Sequence, residues 1–164
     1  MRKRSGTAFL AVILIITGIV VTLENFRFLN GISRHWPALL LILGLGFTLL
    51  YFQRQKQDQV LIWLGTFIGL LGLFFYYLNF TTWKSLSHDW PVFLLIIGIS
   101  FIPVAASRRK MIYVLSSLSF ITLFLIFFMV FKVSAKLWPL SFLFLGADLL
   151  IIEYVNRINN IKSS

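Results

Sequence analysis

The sequence predicts an all-α membrane protein: six transmembrane helices as three tandem helical-hairpin repeats. Three observations carry that reading. Hydrophobic residues fill 59% of the 164 positions, charged residues only 12%, and mean hydropathy is +0.92. Soluble domains sit nearer about 45–50% and about 25% on the first two measures. The apolar residues gather into six runs, and every second run opens on a Trp-Pro pair. A soluble fold of this length could not hide so much Leu, Ile and Phe; a bilayer can.

The runs cover 7–23, 36–52, 60–78, 90–106, 111–131 and 138–155. At about 1.5 Å per residue each makes roughly 25–32 Å of helix, the thickness of a hydrocarbon core. A segment in lipid must satisfy its own backbone hydrogen bonds, which selects helix. The alternation of polar and apolar residues that a β-barrel needs is missing.

The first run follows Arg2-Lys3-Arg4 as a secretory signal would. It continues to Leu23 and meets Glu24-Asn25-Phe26 instead of small residues, so an uncleaved first span is expected. The second run opens on Trp36-Pro37. The third carries Gly65, Gly69 and Gly72, a small-residue stripe suited to helix packing or dimerisation. The fourth opens on Trp90-Pro91 and holds Pro103, where a kink is expected. The fifth carries Ser116 and Ser119, and the sixth opens on Trp138-Pro139 and holds Asp148.

Lys and Arg set the orientation. The N-terminus, the connectors 53–59 and 107–110 and the C-terminal tail together hold ten of the fifteen bases, against five on the opposite side. That bias predicts both termini in the cytoplasm. Trp36, Trp90 and Trp138 fall at the outer ends of spans and all five tyrosines at span boundaries, as interfacial rings do. The net charge of +10 therefore reads as membrane topology, and no nucleic-acid partner is expected. There is no cysteine, hence no disulfide or thiolate chemistry.

The repeat is the most specific pattern. Trp36-Pro37, Trp90-Pro91 and Trp138-Pro139 are each followed eight residues after the Trp by glycine: Gly44, Gly98 and Gly146. In the first two units Gly18 aligns with Gly72, Asn25-Phe26 with Asn79-Phe80, and Ser33 with Ser87. Three matches in register argue duplication within a single transmembrane domain, 1–164, with units near 1–56, 57–110 and 111–164. Proline in the first turn forfeits only an N–H that had no partner, and the glycine admits a neighbouring backbone.

This Trp-Pro-x6-Gly hairpin resembles the LiaI-LiaF-like transmembrane region of bacterial envelope proteins, over essentially the whole chain. The resemblance implies a bacterial cytoplasmic-membrane protein of the envelope-stress type, with another membrane protein such as a sensor kinase as its partner. The full LiaF pattern adds a soluble C-terminal domain, which the segment 156–164 does not match. A vaguer likeness is to HdeD-like membrane proteins, which lack the Trp-Pro signature.

Asp148 is the residue singled out for chemistry. On insertion scales an ionised carboxylate at that depth costs on the order of 2.5–3.5 kcal/mol, and it stands where the other units have Gly46 and Ser100. Ser116 and Ser119, on the preceding span, are the expected hydrogen-bond donors. It is either a proton- or cation-binding carboxylate or an interhelical contact. Glu153 precedes Arg157 by four residues, the order of a helical ion pair. His35 and His88 flank the outer ends without a metal-ligand spacing, so no metal or cofactor is expected. With no nucleophile set or phosphate loop, the expected function is non-enzymatic: an interaction or regulatory component within the bilayer, with a homo-oligomer as a further expectation. The alternative is a small proton- or cation-coupled transporter or channel using Asp148.

Overall fold

A computed structural model describes residues 32–108 and 110–163, together with Ala11, Leu14, Ile15, Gly18, Ile19 and Thr22 of the first run, all six helical. The remainder of that run and the connector 23–31 lie outside the described residues, so the uncleaved first span and the Asn25-Phe26 match are not placed. Five long helices follow in order: α1 (Pro37–Gln53), α2 (Gln59–Phe80), α3 (Val92–Arg108), α4 (Met111–Phe128) and α5 (Leu140–Ser163). No strand occurs among the described residues.

Each Trp-Pro helix is prepared by a short turn of 3-10 helix: Ile32–His35 before α1, Trp83–Ser85 before α3, Ala135–Leu137 before α5. The turns before α3 and α5 are capped alike, by a hydroxyl accepting from a backbone N–H two residues on: Thr82 from Lys84 and Ser134 from Lys136, both 3.3 Å. This is the local side-chain competition that makes Ser and Thr favourable at helix starts. A one-turn helix, Leu86–Asp89, meets α3 at a bend of 71° across Trp90-Pro91. Helix α3 stays helical through Pro103, and a sharp change of direction lies at its Trp-Pro start. Helix α4 runs on into a π-helical turn, Met129–Val133.

The basic connectors, which the charge bias assigns to the inner side, are tight. Between α1 and α2, Gln55 and Lys56 take φ of 53° and 61°, the left-handed geometry that lets Lys56 N–H reach back to Tyr51 O at 3.1 Å. Asp58 then caps α2 through Val60 N–H, 3.2 Å. Arg108 donates to Gln57 O at 2.9 Å, joining the two inner connectors.

Packing is closest for α1 on α2 and for α3 on α4; α2 and α3 join these pairs, and α5 lies more loosely against α4. The tight pairs therefore cross the boundaries of the sequence repeat, because the short basic turns tie the second helix of one unit to the first helix of the next. Buried residues form two groups. Tyr51, Ile62 and Val104 pack near the inner connectors, where the Tyr51 hydroxyl meets that of Ser107; Phe74, Leu78 and Ile96 pack near the outer ones.

By length and composition, α2 and the helix Met111–Val133 are apolar enough to cross a membrane, and a third span results if the bent pair ending in α3 is counted as one. Helix α1, at 17 residues, is apolar but short. Helix α5 carries Asp148, Glu153 and Arg157 among its apolar residues.

Candidate functional site

The three Trp-Pro-x6-Gly motifs are alike in sequence and unlike in surroundings. A side chain on Gly44 would meet Gly69 N at 2.7 Å and Gly65 O at 2.8 Å, so α1 and α2 touch backbone to backbone. A side chain on Gly98 would meet Ile121 Cγ1 at 2.9 Å and Ser117 O at 3.1 Å on α4. A hydroxyl stitches the second crossing, while at the first it stays within its own helix. Thr48 donates to Gly44 O at 2.9 Å within α1, and Ser117 reaches across from α4 to Gly98 O at 2.7 Å. A side chain on Gly146, which is half-buried, would meet nothing within 4 Å among the described residues.

The prolines and tryptophans repeat the contrast. Pro37 and Pro91 are fully buried, whereas Pro139 is exposed. Trp36 packs on Phe75 of α2 at 5.2 Å and Trp90 on Phe127 of α4 at 5.1 Å. Among the described residues Trp138 stacks only on Phe142 of its own helix, at 5.7 Å, and is 56% exposed.

Polar groups close the outer end of both covered crossings. Asn79 Nδ2 donates to Arg34 O at 3.0 Å while its Oδ1 accepts from Trp83 Nε1 at 2.8 Å, so Asn79 staples the start of α1 to the end of α2. His35 Nδ1 lies 3.3 Å from the Tyr76 hydroxyl. At the second crossing Asp89 pairs with Lys132. Asp89 is only 4% exposed, and its Oδ2 has no partner among the described residues. Sequence reasoning placed these two residues in separate connectors and missed the pair. The available signal was the polar residue just before each of the first two tryptophans, His35 and Asp89, each reaching for the next helix.

Asp148 is 8% exposed, and its Oδ1 has no hydrogen-bond partner among the described residues. The expected donors do not supply one: Ser116 donates to Ile112 O of its own helix at 2.9 Å, and Ser119 makes no bond to the carboxyl. The reason is generic to serine in an apolar helix, where the carbonyl four residues back is always within reach. Ser100, at the equivalent position of α3, does the same: it is fully buried and donates to Ile96 O at 2.6 Å. A serine can satisfy itself inside its own helix. A carboxyl with two oxygens needs donors from elsewhere, and a buried polar atom left without one carries a desolvation cost.

Glu153 and Arg157 form the expected i,i+4 pair, Arg157 Nη2 to Glu153 Oε1 at 2.6 Å, on the exposed inner part of α5. With Leu150 and Tyr154 they line a shallow open groove. No group of three His, Cys, Asp or Glu residues that could hold a metal ion occurs among the described residues. No family model, curated protein or solved structure matches the chain.

Proposed function

We propose that the chain is a six-span, three-hairpin protein of a bacterial cytoplasmic membrane, with both termini inside, that works by helix–helix contact within the bilayer and catalyses no reaction. The observation that supports this best is the third Trp-Pro helix. It keeps the residues that elsewhere receive a neighbouring helix, with Pro139 exposed and room for a neighbour on the Cβ side of the half-buried Gly146. A glycine notch with no occupant is a surface suited to a partner helix, since association in lipid depends on close packing around small residues. The likeness to LiaI-LiaF-like regions points to regulation of envelope stress and to a membrane sensor such as a kinase as the regulated protein.

In-membrane photo-crosslinking at native expression tests the reading. Probes replace Trp138, Leu143 and Leu150 on α5, with Ile102 and Leu125 on α3 and α4 as exposed controls. Protein adducts confined to the α5 probes support it, and a sensor kinase among them supports the regulatory form. Lipid adducts alone from every position overturn it.

A second reading draws on Asp148. A buried carboxyl oxygen without a donor is what a proton or cation site in a transporter would offer. Proton flux into proteoliposomes that disappears in Asp148→Asn favours that reading; equal flux in both, at the level of empty vesicles, removes it.

A further inference from the structure

The two covered crossings share a register that the third motif can complete. Gly44 faces Gly69 and Gly65 on α2, and Gly98 faces Ile121 and Ser117 on α4; Gly69 and Ser117 are the members in common register. Both stand 21 positions before the tryptophan of their own unit. The residue 21 positions before Trp36 is Ile15, on the first run. In the same way Gly72 sits against Leu40 and Leu41 of α1 at 3.0–3.1 Å. Its counterpart is Gly18, and the counterparts of Leu40 and Leu41 on α5 are Phe142 and Leu143.

All of these positions are open. Gly18 and Gly146 have nothing within 4 Å, Ile15 is 61% exposed, and Phe142 and Leu143 are 66% and 70% exposed. The two faces are complementary and do not meet each other within one chain. We propose that α5 of one copy packs against the first run of a second copy, head to tail, reproducing the α1–α2 and α3–α4 crossings between molecules. The inference names the occupant of the α5 face and so rests on the contact reading of function given above.

Three features beyond the open glycine support this occupant. The directions agree: with both copies inserted alike, a first run leading outward and α5 leading inward pair antiparallel, as α1 and α2 do. A branched side chain can seat over the notch, as Ile121 does over Gly98, and the residue at its position before Trp36 is Ile19. The polar staple also has a charged equivalent. Arg34, two residues before Trp36, bonds with Asn79; the matching residues are Lys136, two before Trp138, and Asn25, which adjoins Glu24. In sequence, Lys136 and Glu24 thus carry opposite charges at positions matching Arg34 and the residue before Asn79. A contact between different faces is heterologous, so it builds a ring or a chain of copies and not an isologous dimer.

The chain has no cysteine to remove. Ile15→Cys and Gly146→Cys variants with different tags are expressed together in one membrane and mildly oxidised. The expected result is a linked dimer in the mixture at least about tenfold above either variant alone, because a heterologous contact brings unlike positions within disulfide reach. A chain bearing both cysteines is expected to give a ladder. Gly18→Cys with Leu143→Cys, from the Gly72–Leu41 contact, gives a second pair should a cysteine at 146 impair folding. A fast-migrating internally linked monomer, dimers from Gly146→Cys alone, or no link in either pair overturns the proposal. A photoprobe at Gly146 separates its failure from that of the functional reading. Links to a different protein overturn only the self-contact, and lipid adducts alone overturn both.

Discussion

Helices α1 and α3 on one side and α5 on the other begin with the same three residue types in the same spacing, and they end in different surroundings. In α1 and α3 the proline is buried, the tryptophan rests on the following helix, and the glycine is pressed by backbone. In α5 the proline and tryptophan are exposed and the glycine faces nothing. The motif therefore sets how each helix starts, through the 3-10 turn and a proline in the first turn. It does not by itself create an interface. That depends on whether a short inner turn delivers another helix to the glycine, as the connectors after α1 and α3 do.

Substitutions can break this contrast. The largest effect is expected at the crossings. Gly44→Leu drives a side chain into backbone, which cannot yield as a flexible side chain would, so destabilisation at or above the upper end of about 1–3 kcal/mol is expected. Gly98→Leu meets the Ile121 side chain first, with backbone at 3.1 Å, and a loss within that range is expected. Gly146→Leu is expected to stay within about 0.5 kcal/mol. Unfolding in mixed micelles, followed by circular dichroism at high dilution, compares the three. Equal losses at 44 and 146 would remove the distinction on which the contrast depends.

Next comes the outer ion pair. Lys132→Met leaves the buried Asp89 carboxyl without its base, and a loss of stability smaller than that at the glycine crossings is expected, because the lysine is half exposed and water screens the pair. Adding Asp89→Asn should restore part of it, a double-mutant cycle in the same assay. A smaller effect, at most about 1 kcal/mol, is expected for Tyr51→Phe, which removes the bond between the buried Tyr51 and the exposed Ser107, while Tyr154→Phe on exposed α5 should be silent. The smallest is Glu153→Gln. Its pair with Arg157 is exposed on both sides, so a change of about 0.3–0.5 kcal/mol at most is expected, vanishing in high salt.

Much of the fold was legible beforehand because bilayer-length apolar runs and Trp-Pro starts are local signals. The described helices begin and end close to the runs, and the Glu153–Arg157 pair follows from helical geometry alone. The site was less legible. Ser116 and Ser119 carried the right chemistry at the right depth for Asp148, yet a serine hydroxyl finds its own helix carbonyl before it finds another helix. The pairing of Asp89 with Lys132 spans 43 residues and depends on how α3 and α4 cross, which no single-chain spacing contains. Ser117, the serine that does cross between helices, is told from its neighbours Ser116 and Ser119 only by the face it presents to Gly98.

The amino-acid sequence alone determined helical class, the approximate helix limits, the Trp-Pro starts and the repeat, because each follows from side-chain hydropathy, proline geometry and spacing along one chain. The tertiary structure alone decided that the close pairs run across the repeat boundaries and that, among the described residues, Asp148 keeps an oxygen without a donor and the Cβ side of Gly146 stays open where those of Gly44 and Gly98 are covered. Those outcomes depend on which helix a turn brings alongside, and a residue's own sequence neighbourhood holds no record of that.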